Sequence, residues 1–218
     1  MTELHASIRN LPMPSRMRSL PLTEAGWPAL FFADMVDGKI DLRVMDPRKW
    51  RFCVAKRACW LCGQPLGRYL AWPIGPMCVV NRTTQEPPSH RECAEYAVRV
   101  CPFLTRPHAH RRTAGLPEDA TFAGHGLSRN PGVTALWVGH DYSVFRTGTG
   151  PLIHLGDPNE IRWYAQGREA TADEVWASLD SGLPLLREVA EQDGPEGVRA
   201  MELQVKAAMA LLPARLVQ

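Results

Sequence analysis

Four side chains in this sequence are spaced for a chemistry that needs a metal ion. Cys59 and Cys62 form a Cys-x2-Cys pair, and 27 residues later His90 and Cys93 form a His-x2-Cys pair. Thiolates and imidazole suit zinc, which takes four such ligands in a tetrahedron and is structural when all four come from protein. Gly63 directly after the first pair suits a tight knuckle whose backbone amides face the sulfurs. His90 and Cys93 sit three apart, so on a helix they project from one face. A helix N-terminus also favours the negative thiolate there.

The other cysteines fit this centre less well. Cys101 lies eight residues beyond Cys93, about 12 Å along a helix, too far to share the ion. Cys53 reads as a small buried hydrophobe. Cys78, between the two ligand pairs, is the competitor for the place of His90. The metal-free alternative is a set of buried thiols beside a surface histidine.

The elements that must position the ligands follow from the flanking sequence. Asp37-Gly38 between apolar runs predicts a hairpin. Asp46-Pro47 predicts a helix start, with the helix running to about Arg57 and burying Trp50, Cys53 and Val54. Tyr69–Trp72 and Met77–Val80 read as two short strands joined through Pro73-Ile74-Gly75-Pro76. Ser89-His90-Arg91-Glu92 reads as a capping box opening a helix that Pro102 ends. Knuckle, hairpin and helix together predict a treble-clef-like zinc module over residues 26–104, after an irregular arm at 1–25. Residues 105–132 are rich in Gly, Pro, His and Arg and read as a linker. Over 133–218 four short strands are expected at Val133–Val138, Tyr142–Phe145, Leu152–Leu155 and Ile161–Tyr164. A second capping box at Thr171–Glu174 starts a helix expected to break at Gly182 and Pro184, and a last helix follows Gly194-Pro195. The fold class expected is α+β, a small antiparallel sheet packed with C-terminal helices behind the zinc module.

Three stretches carry a resemblance: DGKIDLRVMDPRKW at 37–50, CWLCGQPLG with GPMCVVNRTTQEPPSHRECA at 59–67 and 75–94, and CPFLTRP at 101–107. GREATADEVWASLDSGLPLL at 167–186 adds a fourth. Together they resemble a family of uncharacterised zinc-finger-like proteins of bacteria and bacteriophages. That resemblance implies a zinc fold and a phage or mobile-element setting, and no mechanism. Cys59, Cys62, His90 and Cys93 all fall inside the matching motif.

Charge is distributed unevenly. Residues 1–112 carry 17 Lys/Arg against 9 Asp/Glu, and residues 113–218 carry 8 against 14. Such halves can attract each other, or the basic one can face nucleic acid. Arg91, Arg99, Arg106, Arg111 and Arg112, on or just after the zinc helix, are the candidate phosphate contacts. His108 and His110 lie in the same stretch and could hold a second metal. Asn81, Arg82 and Glu86 read as a loop brace, with Arg82 pairing Glu86, or as a polar cluster beside the ion. Trp50 reads as core despite its basic neighbours.

No Gly-rich phosphate loop, Gly-x-Ser-x-Gly, His-Glu-x-x-His or deaminase pattern occurs. His140, Asp141, His154 and Asp157 are the only loop-borne catalytic candidates of the second half. No run approaches the ~18 apolar residues of a membrane span, and the N-terminus lacks a secretory apolar stretch, so a cytoplasmic location is expected. Function is expected to be that of a zinc-stabilised binding or regulatory protein contacting DNA or RNA. The alternatives are a protein–protein adaptor or inhibitor of a host protein, and a metal-dependent hydrolase or nuclease.

Overall fold

The computed structural model describes residues 2–107, 109–110, 112–117, 121, 130–148 and 150–215 of the 218. It is an α+β protein with antiparallel sheets. Strands β1 (Ala33–Val36) and β2 (Lys39–Met45) form a hairpin. Asp37 and Gly38 at its tip both have positive φ, 49° and 77°, as a type I′ turn requires. Helix α1 (Pro47–Lys56) starts as expected: the Asp46 carboxylate accepts from the Arg48 N–H, and Pro47 holds the first helical position. It buries Trp50 and Cys53 and ends at Arg57, which is left-handed with φ 49°.

Between the ligand pairs the chain departs from the expected hairpin. Strand β3 (Leu70–Ile74) is followed by a short helix, α2 (Pro76–Asn81), then by the two-residue strand β4 (Thr83–Thr84). Gly75-Pro76 opens α2 because proline's fixed φ and missing N–H suit a first helical position. β3 and β4 then enter different sheets. Helix α3 (Arg91–Val100) carries the second ligand pair and leads into α4 (Pro102–Thr105).

Four strands follow: β5 (Thr134–Gly139), β6 (Tyr142–Thr147), β7 (Gly150–Leu155) and β8 (Pro158–Ala165), with the short β9 (Arg168–Glu169) after them. One sheet runs β3-β5-β8-β9 and another β4-β7-β6. Each therefore joins a strand from before residue 104 to strands after 133. Pro73 is tolerated in β3 because that strand lies at a sheet edge. The main hydrophobic core spans both larger sheets, the knuckle and α3, and a smaller cluster of Val80, Leu179 and Ala208 lies between α2 and the two C-terminal helices. Trp60, Leu70, Trp72, Leu136, Trp137, Ile153, Leu155 and Tyr164 are all at most 1% exposed.

Helix α5 (Ala172–Gln192) opens on the expected capping box: the Thr171 side chain accepts from the Glu174 N–H, and the Glu174 carboxylate from the Thr171 N–H. It runs unbroken through Gly182 and Pro184. Gly182 is there for close packing: a Cβ would meet the Met77 side chain of α2 at 2.9 Å. α6 (Gly194–Ala208) packs back on α5 and α2.

The segment expected as a linker is tied down where it is described. Met45 donates to the Thr121 carbonyl, and Arg43 reaches the carbonyls of Arg112 and Ala114. Asn130 is fully buried, and its amide donates toward the carbonyls of Phe103, Leu104 and Arg106, capping the end of α4.

Candidate metal centre

Cys59, Cys62, His90 and Cys93 come together, all buried, with their ligand atoms within 4.8 Å of one another. Local sequence explains the approach. Residues 57–66 fold back on themselves: Leu66 donates to the Arg57 carbonyl, Cys59 to Gln64 and Gly63 to Cys59. Gly63 has φ +75°, and a Cβ there would lie 2.5 Å from the Phe31 ring. Only glycine meets both conditions. Trp60 N–H bonds the Pro88 carbonyl, and Ser89 bridges to Ala71, so the knuckle is brought against the start of α3.

The expected capping box at Ser89–Glu92 does not form. His90 itself stands at the N-cap of α3, without a side-chain capping bond. The Ser89 hydroxyl is buried without a partner among the described residues, and Glu92 pairs with Arg16 at 3.0 Å. The position is spent on the ligand: His90 in extended conformation directs its ring at the sulfurs.

The ring is oriented from both sides. Nδ1 lies 3.4 Å from Cys62 Sγ and 3.9 Å from Cys93 Sγ, while Nε2 lies 3.0 Å from the Pro65 carbonyl. A carbonyl only accepts, so Nε2 carries the proton and Nδ1 presents its lone pair. A carbonyl behind a ligating imidazole is the usual way its tautomer is held. In a tetrahedron with zinc–sulfur and zinc–nitrogen bonds of about 2.3 and 2.05 Å, sulfur and nitrogen lie about 3.6 Å apart. The two distances bracket that figure, so the donor set fits a tetrahedral ion.

Electrostatics points the same way. Two backbone N–H groups, from Cys62 and His90, reach Cys59 Sγ at 3.4 Å. Burial opposes ionisation of Cys59, but hydrogen bonds from Cys62, Cys93 and His90 hold its thiol below the ordinary range. The hydrogen bond to Cys59 in turn pushes Cys62 up to about 11 and raises Cys93 and His90. With Cys59 ionised, the raised Cys62 and Cys93 keep their protons at neutral pH unless a cation enters among the sulfurs. An ion held by all four would keep no open position for water, the arrangement typical of structural rather than catalytic zinc.

Cys78 lies on α2 outside this group, and burial pushes its thiol up to about 11. Among the described residues, no other group of three or more His, Cys, Asp or Glu is placed to hold an ion. His108 lies outside the described residues, as does Arg111. The catalytic candidates of the second half form no group of three that could hold an ion. His140 packs tilted against Tyr69 with ring centroids 4.7 Å apart, and Asp157 pairs with Arg82 at 2.6 Å. His154 sits on β7 opposite Ser143, and the Asp141 carbonyl accepts from Gly156. The Arg82 guanidinium thus turns to Asp157, and Asn81 caps its own turn by accepting from the Thr83 N–H.

The basic residues are also placed. Arg91 pairs with Glu160 at 2.8 Å. Arg99 pairs with Glu95 at 3.0 Å and lies over the Tyr164 ring. Arg106 and Arg112 are exposed. Beyond the alternation of basic and aromatic residues at Lys49–Phe52, the sequence does not single out the outer face of α1 or the loop after the knuckle. Arg51, Phe52, Lys56, Arg57, Arg68 and Tyr69 are all exposed there. Trp50 is buried as expected, its indole N–H bonded to the Gln85 carbonyl.

Comparison with protein-family models, with curated proteins and with solved structures finds no match. The class defined by fold and site is therefore an α+β protein whose Cys3His cluster can hold a metal ion. No helix among the described residues is long and apolar enough to cross a membrane.

Proposed function

We propose that this is a zinc-stabilised nucleic-acid-binding protein. Zinc is the ion that the Cys3His set suits best. The knuckle and the start of α3 give two ligands each, as in a treble clef. Here the chain between them is spent on β3, α2 and β4 instead of a hairpin, so the relation is treble-clef-like. The resemblance of the motif-bearing stretches to bacterial and phage proteins supports a phage or mobile-element setting.

One observation carries the binding reading. After the ion pairs are subtracted, four of the exposed cations left over in the first half lie together in sequence on α1 and the knuckle loop, while Arg18, Arg106 and Arg112 lie elsewhere. No carboxylate among the described residues forms an ion pair with Arg51, Lys56, Arg57 or Arg68, whereas Arg16, Arg43, Arg48, Arg82, Arg91 and Arg99 all have acidic partners. Arg57 is the most telling of them. It occupies a left-handed position after a helix, where glycine is the easy choice. A cation held there at the cost of backbone strain suggests selection for charge.

Salt-dependent binding tests this reading. Deleting one cation that touches a phosphate lowers the slope of log affinity against log salt by about 0.7–0.9. Arg51→Ala with Lys56→Ala should lower it by about 1.4–1.8 in fluorescence anisotropy. Arg57→Gly should raise stability by about 0.5–1 kcal/mol while weakening binding. Wild-type protein that binds no nucleic acid at low salt would move a second reading forward. That reading is a protein adaptor acting on a host protein, and it is supported by Val189 and Leu203, 57% and 69% exposed on the acidic helix α5 and on α6.

A further inference from the structure

We infer that the α1 face takes a single strand, gripping it by stacking bases on Phe52 and Tyr69 between the unpaired cations. This rests on the nucleic-acid reading above and narrows it. Phe52 and Tyr69 are 44% and 54% exposed, and each is braced from behind by another ring. Phe52 leans on Phe31 with centroids 5.8 Å apart, and Phe31 is itself set against Gly63 of the knuckle. Tyr69 rests on His140 at 4.7 Å, and the His140 ring is anchored through Nδ1 to the Arg68 carbonyl. The rings are thus positioned by the fold, although water covers much of their surface.

The cations interleave with these rings. Phe52 and Lys56 are one turn apart on α1 and so are neighbours on its outer face. Arg51 lies on the same outer arc, opposite buried Trp50 and Cys53. Arg57 ends the helix, and its carbonyl accepts from Leu66 at 2.8 Å. Arg68 and Tyr69 follow Leu66 by two and three residues, within about 10 Å of Leu66 at the reach of an extended chain, and Leu66 is paired to Arg57 about 5 Å away, which puts them within about 15 Å of Arg57. Phe52 lies five residues before Arg57, about 7.5 Å along the helix. Counted from Arg51, about 9 Å before Arg57 along the helix, the two rings and four cations therefore lie within roughly 24 Å, the scale of a few nucleotides.

A duplex hides its base faces, so exposed braced rings gain nothing from it. A single strand offers both base faces for stacking and phosphates for the cations, the combination used by strand-binding grooves. Neither group senses the 2′-hydroxyl, so DNA and RNA strands should bind alike.

The test uses the full chain and three labelled probes: a 12-nucleotide oligothymidylate, the matching oligouridylate and a 12-base-pair duplex. Both single strands should bind at least tenfold more tightly than the duplex at matched salt. Phe52→Ala and Tyr69→Ala should each weaken strand binding about tenfold. They should leave the salt slope and the duplex affinity unchanged, and Tyr69→Phe should retain binding. Phe52→Leu keeps bulk without the ring and reports the same loss should Phe52→Ala disturb Phe31. Metal content and thermal melts matched to wild type exclude misfolding. Duplex binding as tight as strand binding, or indifference to both ring deletions, would overturn stacking while leaving nucleic-acid binding intact. No binding to any probe at low salt would remove both.

Discussion

Gly63→Ala should damage this protein far more than one methyl group suggests. Two costs meet there. At φ +75° an L-residue pays about 1–2 kcal/mol for the left-handed backbone. The new Cβ would also lie 2.5 Å from the Phe31 Cδ2 and 2.9 Å from Cγ, atoms of a stiff ring and not the end of a flexible chain. Overpacking of this kind costs about 1–3 kcal/mol. Together they predict a loss of about 2–5 kcal/mol, a large share of the stability of a typical domain. Gly63 also donates to the Cys59 carbonyl, so the shift should loosen the centre and speed metal loss to a chelator. Urea melts of wild type, Gly63→Ala, Phe31→Ala and the double variant separate the two costs. Removing the ring removes the clash but not the backbone strain. The double variant should therefore be more stable than the two single effects added together by about 1–3 kcal/mol. Additivity within about 0.5 kcal/mol would refute the steric part, and a Gly63→Ala protein as stable as wild type would refute both.

Elemental analysis of protein purified without added metal should find about one zinc per chain. Cys59→Ser, Cys62→Ser or Cys93→Ser should lose it and lower the melting temperature, because metal binding and folding are coupled. Cys78→Ser and Cys101→Ser should keep it. A pH effect is expected at the start of α5. Hydrogen bonds from Arg168, then from the Thr171 N–H, depress the Glu174 carboxyl to about 2. A depressed carboxyl stabilises the fold fully above its ordinary value near 4.5 and loses that contribution as pH falls towards 2. Urea melts at pH 7 and pH 3 should show a smaller difference for Glu174→Gln than for wild type. Thr171→Ala, which deletes the other half of the box, should cost about 1 kcal/mol at pH 7.

Short-range chemistry is the legible part of this chain. The ligand set stands out because four metal-binding side chains at fixed offsets can be recognised without knowing the fold. The Asp37-Gly38 turn, the Asp46-Pro47 helix start and the Thr171–Glu174 box are likewise settled within a few residues. The failures lie where tertiary contacts outvote local signals. Met77–Val80 has the β-branched, apolar character of a strand, yet Gly75-Pro76 opens a helix that packs on α5. Gly182 has the look of a helix breaker, but it is the place where Met77 comes closest. Ser89 gives up its capping role because the next residue has to serve the centre. The charge asymmetry is legible, but not which cations remain unpaired: Glu160 lies 69 positions from Arg91, a pairing only the fold reveals. Asn130, whose amide serves three carbonyls, carries no motif at all.

The pairing of β3 with β5 orders events during synthesis. All four ligands have been made once residue 93 is complete, so the ion can be captured early. β3 must then wait for its partner, because Ile74 and Gly139 are separated by about 65 residues, roughly 3–13 s of elongation. Over that interval Trp72, which faces Trp137 across the finished sheet, has no opposite strand to cover it. A nascent chain arrested once His90 and Cys93 have left the ribosome but before β5 emerges should therefore be metal-loaded and still exposed to chaperones, and release of the pause should bury both tryptophans in one step.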